Sequence, residues 1–189
     1  MKKLEKILGI VILFAIIYKF LHLPGASILL IVSILPLAMI YYLGFAFFND
    51  IRLHDILKKS SYENLSAKRI IGCGIFGVFL SSVVIGILFK LQFYPGAGAQ
   101  LSIGLKGIGI VLIVATIYYF KHKAKSYKKI ISRILIIGTL GICVYIIPST
   151  KLVDIYYRND PAYAELFKKV LANPNNEELR KELQDMRNK

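Results

Sequence analysis

Five apolar runs, each near the length of a membrane-crossing helix, alternate with polar stretches that hold most of the charge. They fall at residues 4–23, 27–48, 70–89, 99–120 and 130–147, the last interrupted by Arg133 near its start. A helical crossing of a bilayer needs ~20 predominantly apolar residues. Hydrophobic residues make up 56% of the 189 and charged residues 19%, so the chain has more apolar surface than one soluble core of this length can hide. The pattern predicts an all-α, polytopic membrane protein.

On this pattern residues 1–48 read as a first transmembrane hairpin, 49–69 as a cytoplasmic connector and 70–120 as a second hairpin. Residues 121–129 read as a basic cytoplasmic loop, 130–147 as a fifth transmembrane helix and 148–189 as a polar helical tail. Pro36 is the expected kink of the second run, and the aromatic residues at its far end suit a membrane interface.

The net charge of +14 is uneven. Residues 1–147 carry 17 Lys/Arg against 4 Asp/Glu, whereas 148–189 carry 8 against 7. The basic residues gather at the N-terminus, in 49–69 and in 121–129, which share one side if the runs alternate across the membrane. The positive-inside rule makes that side cytoplasmic. The N-terminus is then cytoplasmic and the tail periplasmic, in a bacterial inner membrane. Lys121, Lys123, Lys125, Lys128 and Lys129 are placed to meet lipid headgroups. Basic clusters sited between apolar runs argue against a nucleic-acid partner.

The opening segment has the basic start and apolar core of a signal peptide, but it is as long as a full span and its ending recurs within the chain, so retention is expected. In the tail, Asp160 and Pro161 read as a cap and first helical position, and Asn175 with Glu178 as a second cap. Two short helices are expected there, lying on the membrane domain or on a partner.

Shifting the chain by 71 residues without a gap aligns Tyr18–Leu30 with Phe89–Leu101. Lys19 meets Lys90, Pro24 meets Pro95, Gly25 meets Gly96, Ala26 meets Ala97 and Leu30 meets Leu101. Five identities in a shared Lys-x4-Pro-Gly-Ala frame indicate a duplicated two-helix unit. In each copy the lysine stem is long enough to bring its ammonium to the unpaired carbonyls at a helix end, or to headgroups, while Pro-Gly turns the chain.

The second copy, "GILFKLQFYPGAGAQLSIGL", resembles the N-terminal transmembrane hairpin of GldL, the inner-membrane motor subunit of Bacteroidota gliding motility and type IX secretion. The first, "YKFLHLPGA", retains the histidine of that spacer as His22. The resemblance covers the two hairpins, roughly half the chain, and marks Lys19, His22, Pro24, Gly25, Lys90, Pro95 and Gly96 as motif residues. The resembled family carries a glutamate on its second helix, tied with the lysine to proton-driven rotation. Here the matching stretches read "KGIG" and "ILPL", and no Asp or Glu falls between Glu63 and Asp154. The first two runs are likewise expected to contribute no acid, so the motor activity does not carry over unless another chain donates one.

Lys106 is the ionisable residue deepest within a run. It either meets an anionic lipid, a substrate or an acid of another subunit, or reaches outward to the interface. "GCGIFG", 72–77, spells a dinucleotide-binding fingerprint without the preceding strand that the fingerprint requires. Its glycines, with Gly104, Gly107 and Gly109, fit close helix packing instead. Asp50, His54 and Asp55 lack a further ligand to complete a metal site. Cys73 and Cys143 read as small buried hydrophobes. With no catalytic constellation and no cofactor motif, the expected function is a non-enzymatic assembly or interaction component of a membrane complex. It would contact lipid and either further copies of itself or another inner-membrane protein. The alternative is a small transporter or channel with its pathway between the repeats.

Overall fold

The computed structural model describes residues 2–21, 23–123 and 125–187. Among them every regular element is helical: α1 Lys2–Phe20, α2 Ala26–Tyr42, α3 Gly44–Phe47, α4 Ala67–Leu91, α5 Ala97–His122, α6 Lys125–Ile146, α7 Ser149–Tyr156, α8 Pro161–Ala172 and α9 Glu177–Arg187, with short 3-10 turns at Leu53–Asp55 and Lys59–Tyr62 in the connector. Each of the five apolar runs forms a helix, and three stretches are long and apolar enough to cross a membrane: Ala67–Leu91, Ala97–Lys121 and Tyr127–Ile146. Ala26–Tyr42 is apolar but shorter. α1 carries Lys3, Glu5 and Lys6 at one end and Lys19 at the other, which lowers its apolar character.

α4 is the central post. It packs against α2, α3, α5 and α6, while α1 leans on α2. Leu30 and Ile34 of α2, Phe76, Leu80 and Val83 of α4 and Leu101 of α5 meet in a fully buried interior. Outward faces are apolar as well: Phe14, Ile110, Ile113 and Ile136 are all exposed, which suits a lipid surrounding rather than water. In lipid the driving force for helix contact is close packing rather than water exclusion, and the glycines show where that packing is tightest. A Cβ added to Gly77 would stand 2.7 Å from Gly44 Cα, and one added to Gly44 would stand 2.5 Å from Cys73 O. Gly104 and Gly107 likewise sit against Val83 and Phe79. Gly72 and Gly109, expected to serve the same purpose, face open space, and Gly74 makes only ordinary contact with Phe45.

The helix of the second run continues through Pro36 and ends at Leu43, where ψ turns to 33°. The Ser33 hydroxyl, buried beside the proline, donates to Leu29 O at 2.7 Å and so is satisfied within its own helix. The break lets α3 fold against α4, burying Tyr41 and Phe47. Of the aromatic residues expected at an interface, Tyr41 and Phe47 are therefore core residues, while Tyr42 is exposed.

One tail boundary and one cysteine differ from the sequence reading. The second tail cap is Asn176, whose Oδ1 accepts from Glu178 N–H at 3.0 Å and Leu179 N–H at 3.2 Å; the capping oxygen has to stand one residue before Glu177 for this reach. Asp160 caps α8 as expected, accepting from Tyr163 N–H at 3.0 Å. Cys73 is buried but Cys143 is exposed, on an α6 face that also exposes Leu140 and Ile136. A thiol is apolar enough to share such a face.

Candidate functional site at the elbow end

The two Lys-Pro-Gly turns fold alike to the level of single dihedrals. Gly25 has φ 82° and Gly96 φ 79°, a left-handed conformation that glycine adopts without a Cβ penalty. α1 and α4 end, and α2 and α5 begin, at positions 71 apart. Leu23 N–H donates to Tyr18 O at 3.2 Å and Tyr94 N–H to Phe89 O at 2.8 Å, again 71 apart. Gln92 Nε2 of the second elbow donates to Ser27 O of the first at 3.0 Å. Both elbows thus lie at one end of the helix bundle.

The copies differ at their lysines. Lys19 Nζ donates to Ser27 Oγ at 2.6 Å, a hydroxyl in the first turn of the next helix rather than the carbonyls expected. The residue matching Ser27 is Gly98, and half-buried Lys90 has no such partner among the described residues. His22 lies outside the described residues. Its counterpart Phe93 has φ 58°, an outlier for a bulky side chain, and its ring is clasped edge-on by Tyr156 and Phe167, with centroids 5.6 and 5.1 Å away.

Those two rings belong to the tail, which docks across both elbows. Tyr156 of α7 is 3% exposed. It packs on Phe20 and lies 5.3 Å under the Lys19 ammonium, a cation–π contact. Burial pushes its phenol well above the ordinary tyrosine range. Its Oη finds no hydrogen-bond partner among the described residues. Lys168 ties α7 to α8, meeting Asp154 at 2.6 Å and Glu165 at 2.8 Å. The hydrogen bond to Asp154, then that to Glu165, holds this ammonium above the usual lysine range.

Between tail and elbows lies a cavity of about 710 Å³. The elbows contribute Lys19, Ser27 and Gln92 to its wall, α8 contributes Phe167, and α9 contributes Arg180 and Gln184. Nothing in the sequence pairs residue 19 with residue 180. The signal that could have found the wall is α9 itself, where Leu179, Leu183 and Met186 recur at helical spacing and are half-buried on one face.

The opposite end holds a second polar cluster that the sequence reading missed. Glu5 stands in the first turn of α1, so the expectation that the first two runs contribute no acid is wrong: the residue lies just inside the apolar stretch. Arg133 of α6 grips it with two bonds, Nε to Oε1 and Nη2 to Oε2, both 2.7 Å. Tyr41 Oη donates to Oε1 at 2.9 Å. Phe47 and Phe48 flank the guanidinium at 5.2 and 5.6 Å. The two charged side chains keep only 18% and 14% of their exposure. The ends of three helices are bolted together here, and the grip is bidentate, the stronger form of such a pair.

Lys106 is exposed on α5, on the same outward face as Ile103 and Ile110, and does not line the cavity. Lys121, Lys123, Lys128 and Lys129 are exposed near the α5–α6 turn, while the Lys125 side chain lies outside the described residues. The helices run closer together here than the sequence suggests, since α5 reaches His122 and α6 begins at Lys125. In the connector, His54 and Lys58 both approach Asp55, at 3.1 and 2.8 Å. The Lys58 bond holds the Asp55 carboxyl below the usual range. Among the described residues no three His, Cys, Asp or Glu side chains form a metal-holding group. No family model, curated protein or solved structure matches the chain.

Proposed function

We propose that the chain is a five-crossing inner-membrane protein, built of two elbow hairpins and a fifth helix, that serves without catalysis as an interaction component of a membrane complex. The observation that carries this reading is the division of the bundle into two unlike ends. Both elbows and the tail meet at one end, where Lys19 and Lys90 are the only cations of the elbow sequences and the tail's eight Lys/Arg are offset by seven Asp/Glu. The other end collects Lys3, Lys6, Arg52, Lys68, Arg69 and the lysines of the α5–α6 turn. Such an asymmetry orients the basic end toward the cytoplasm and leaves the elbow platform and its docked tail for a periplasmic partner or a second copy.

The kinship with GldL-type hairpins rests on the residue pattern of the elbows, and their matched backbone supports a duplicated unit. The motor reading is weakened because the acid near the membrane, Glu5, is already taken up by Arg133. The transport reading is weakened by the filled interior around Phe76, Leu80 and Leu101 and by Lys106 facing outward.

The orientation is tested by cysteine labelling in intact cells of a variant lacking Cys73 and Cys143. Leu23→Cys and Tyr94→Cys are expected to react with an impermeant maleimide, and Leu57→Cys, 97% exposed in the connector, only after lysis. Labelling of Leu23→Cys and Tyr94→Cys from opposite faces overturns the five-crossing arrangement. The interaction role is tested by mild detergent extraction, with co-purification of a second copy or of another membrane protein expected and a lone monomer as the contrary result.

A further inference from the structure

We propose that the elbow-end cavity binds the phosphodiester headgroup of an anionic phospholipid, with Lys19 and Arg180 as its cationic contacts. The inference rests on the membrane reading above. Lys19 belongs to the last turn of α1, so the cavity opens where the apolar helices stop, which in a bilayer is headgroup depth. Its volume of about 710 Å³ lies within the ~300–1,000 Å³ of small-molecule sites.

The wall chemistry fits a phosphate with a greasy attachment. Arg180 is exposed to the cavity and has no carboxylate partner among the described residues; a planar guanidinium suits two phosphate oxygens at once, while Lys19 acts as a point charge. The carboxylate on the wall, Asp160, is turned to its own helix as the α8 cap, so it opposes the cations less than an unengaged acid would. Gln184 supplies an amide donor, and Phe167, Leu183 and Met186 offer apolar surface that inorganic phosphate cannot use but a glycerol backbone and the start of an acyl chain can.

The test uses the full-length chain in non-ionic detergent, with unfolding temperature and native mass spectrometry as readouts. Dioleoyl phosphatidylglycerol is titrated against dioleoyl phosphatidylcholine and against inorganic phosphate. Phosphatidylglycerol is expected to bind saturably and raise the unfolding temperature, and Arg180→Gln to weaken that binding about tenfold, the loss of one charge-assisted contact. Arg180→Lys restores part of it, and Lys151→Gln, exposed on α7 outside the cavity, leaves it unchanged. Lys19→Gln gives a loss of similar size, and Arg180→Gln decides the matter should that variant fail to fold. Equal binding of phosphatidylcholine, binding of inorganic phosphate as tight as that of the lipid, or unchanged binding by Arg180→Gln overturns the proposal. Alkaline carbonate extraction separates the two ideas: a chain that stays in the membrane pellet yet ignores phosphatidylglycerol loses only the headgroup site, whereas a chain released by carbonate loses the membrane reading with it.

Discussion

Arg133 sits about two turns into α6, where an uncompensated guanidinium would be costly in lipid. Glu5, Tyr41 and two phenylalanine rings answer that cost together. Arg133→Ala is expected to lower stability by about 3–5 kcal/mol, because it strands the Glu5 carboxylate in a largely buried place. Replacing both members by apolar residues, as in Glu5→Met with Arg133→Leu, should recover most of that loss. Chemical unfolding in detergent checks both, and equal damage from the single and double variants would contradict the assignment. Tyr156 offers the reverse case, since its buried hydroxyl has no partner among the described residues. Tyr156→Phe should therefore hold or raise stability by about 1 kcal/mol. Its phenol is held protonated above the ordinary tyrosine range. The tail should accordingly keep its full docking strength below the unfolded tyrosine pKa of about 10 and lose it as pH climbs from there toward the folded value. Tyrosine ultraviolet absorbance followed against pH reads this, with one fewer late-titrating phenol expected in the phenylalanine variant than in the wild type.

At the scale of elements, the sequence was clearest where a local rule decides the backbone. Pro-Gly at a helix end needs a left-handed glycine, so both elbows and the cap at Asp160 could be read from neighbouring residues alone, whereas the start of α6 at Lys125 falls inside the stretch expected as a loop. Leu43, where α2 breaks, carries no local mark beyond the glycine after it, and the close seating of Gly44 against α4 that the break permits is a tertiary effect. The glycines divide in the same way. Spelling made 72, 74 and 77 alike, but Gly77 faces the backbone of α2 and α3 while Gly72 faces open space. Gly77→Ala should thus cost about 1–3 kcal/mol or more, since the opposing atoms are backbone and cannot swing away. Gly72→Ala should gain up to about 1 kcal/mol from helix propensity. Thermal unfolding of the pair decides the point, and equal effects would mean that the α3–α4 contact is looser than described.

At the scale of the molecule, hydropathy and charge conveyed the helical class and the candidate crossings, because both are sums over many residues. The cavity was not legible for the opposite reason, being assembled from α1, α2, the turn after α4, α8 and α9 by contacts that no spacing encodes. The Glu5–Arg133 grip was hidden in the same manner, each residue looking like an ordinary charge at the rim of its own run. That grip also has a bearing on how the protein is made. Its two members are separated by 128 positions, so α1 leaves the ribosome carrying a carboxylate whose counterion is translated only after three more long helices, α2, α4 and α5, have followed. Until α6 arrives, the amino-terminal hairpin is an unlatched piece, and a nascent chain halted before Arg133 should be the form that membrane quality-control proteases degrade first.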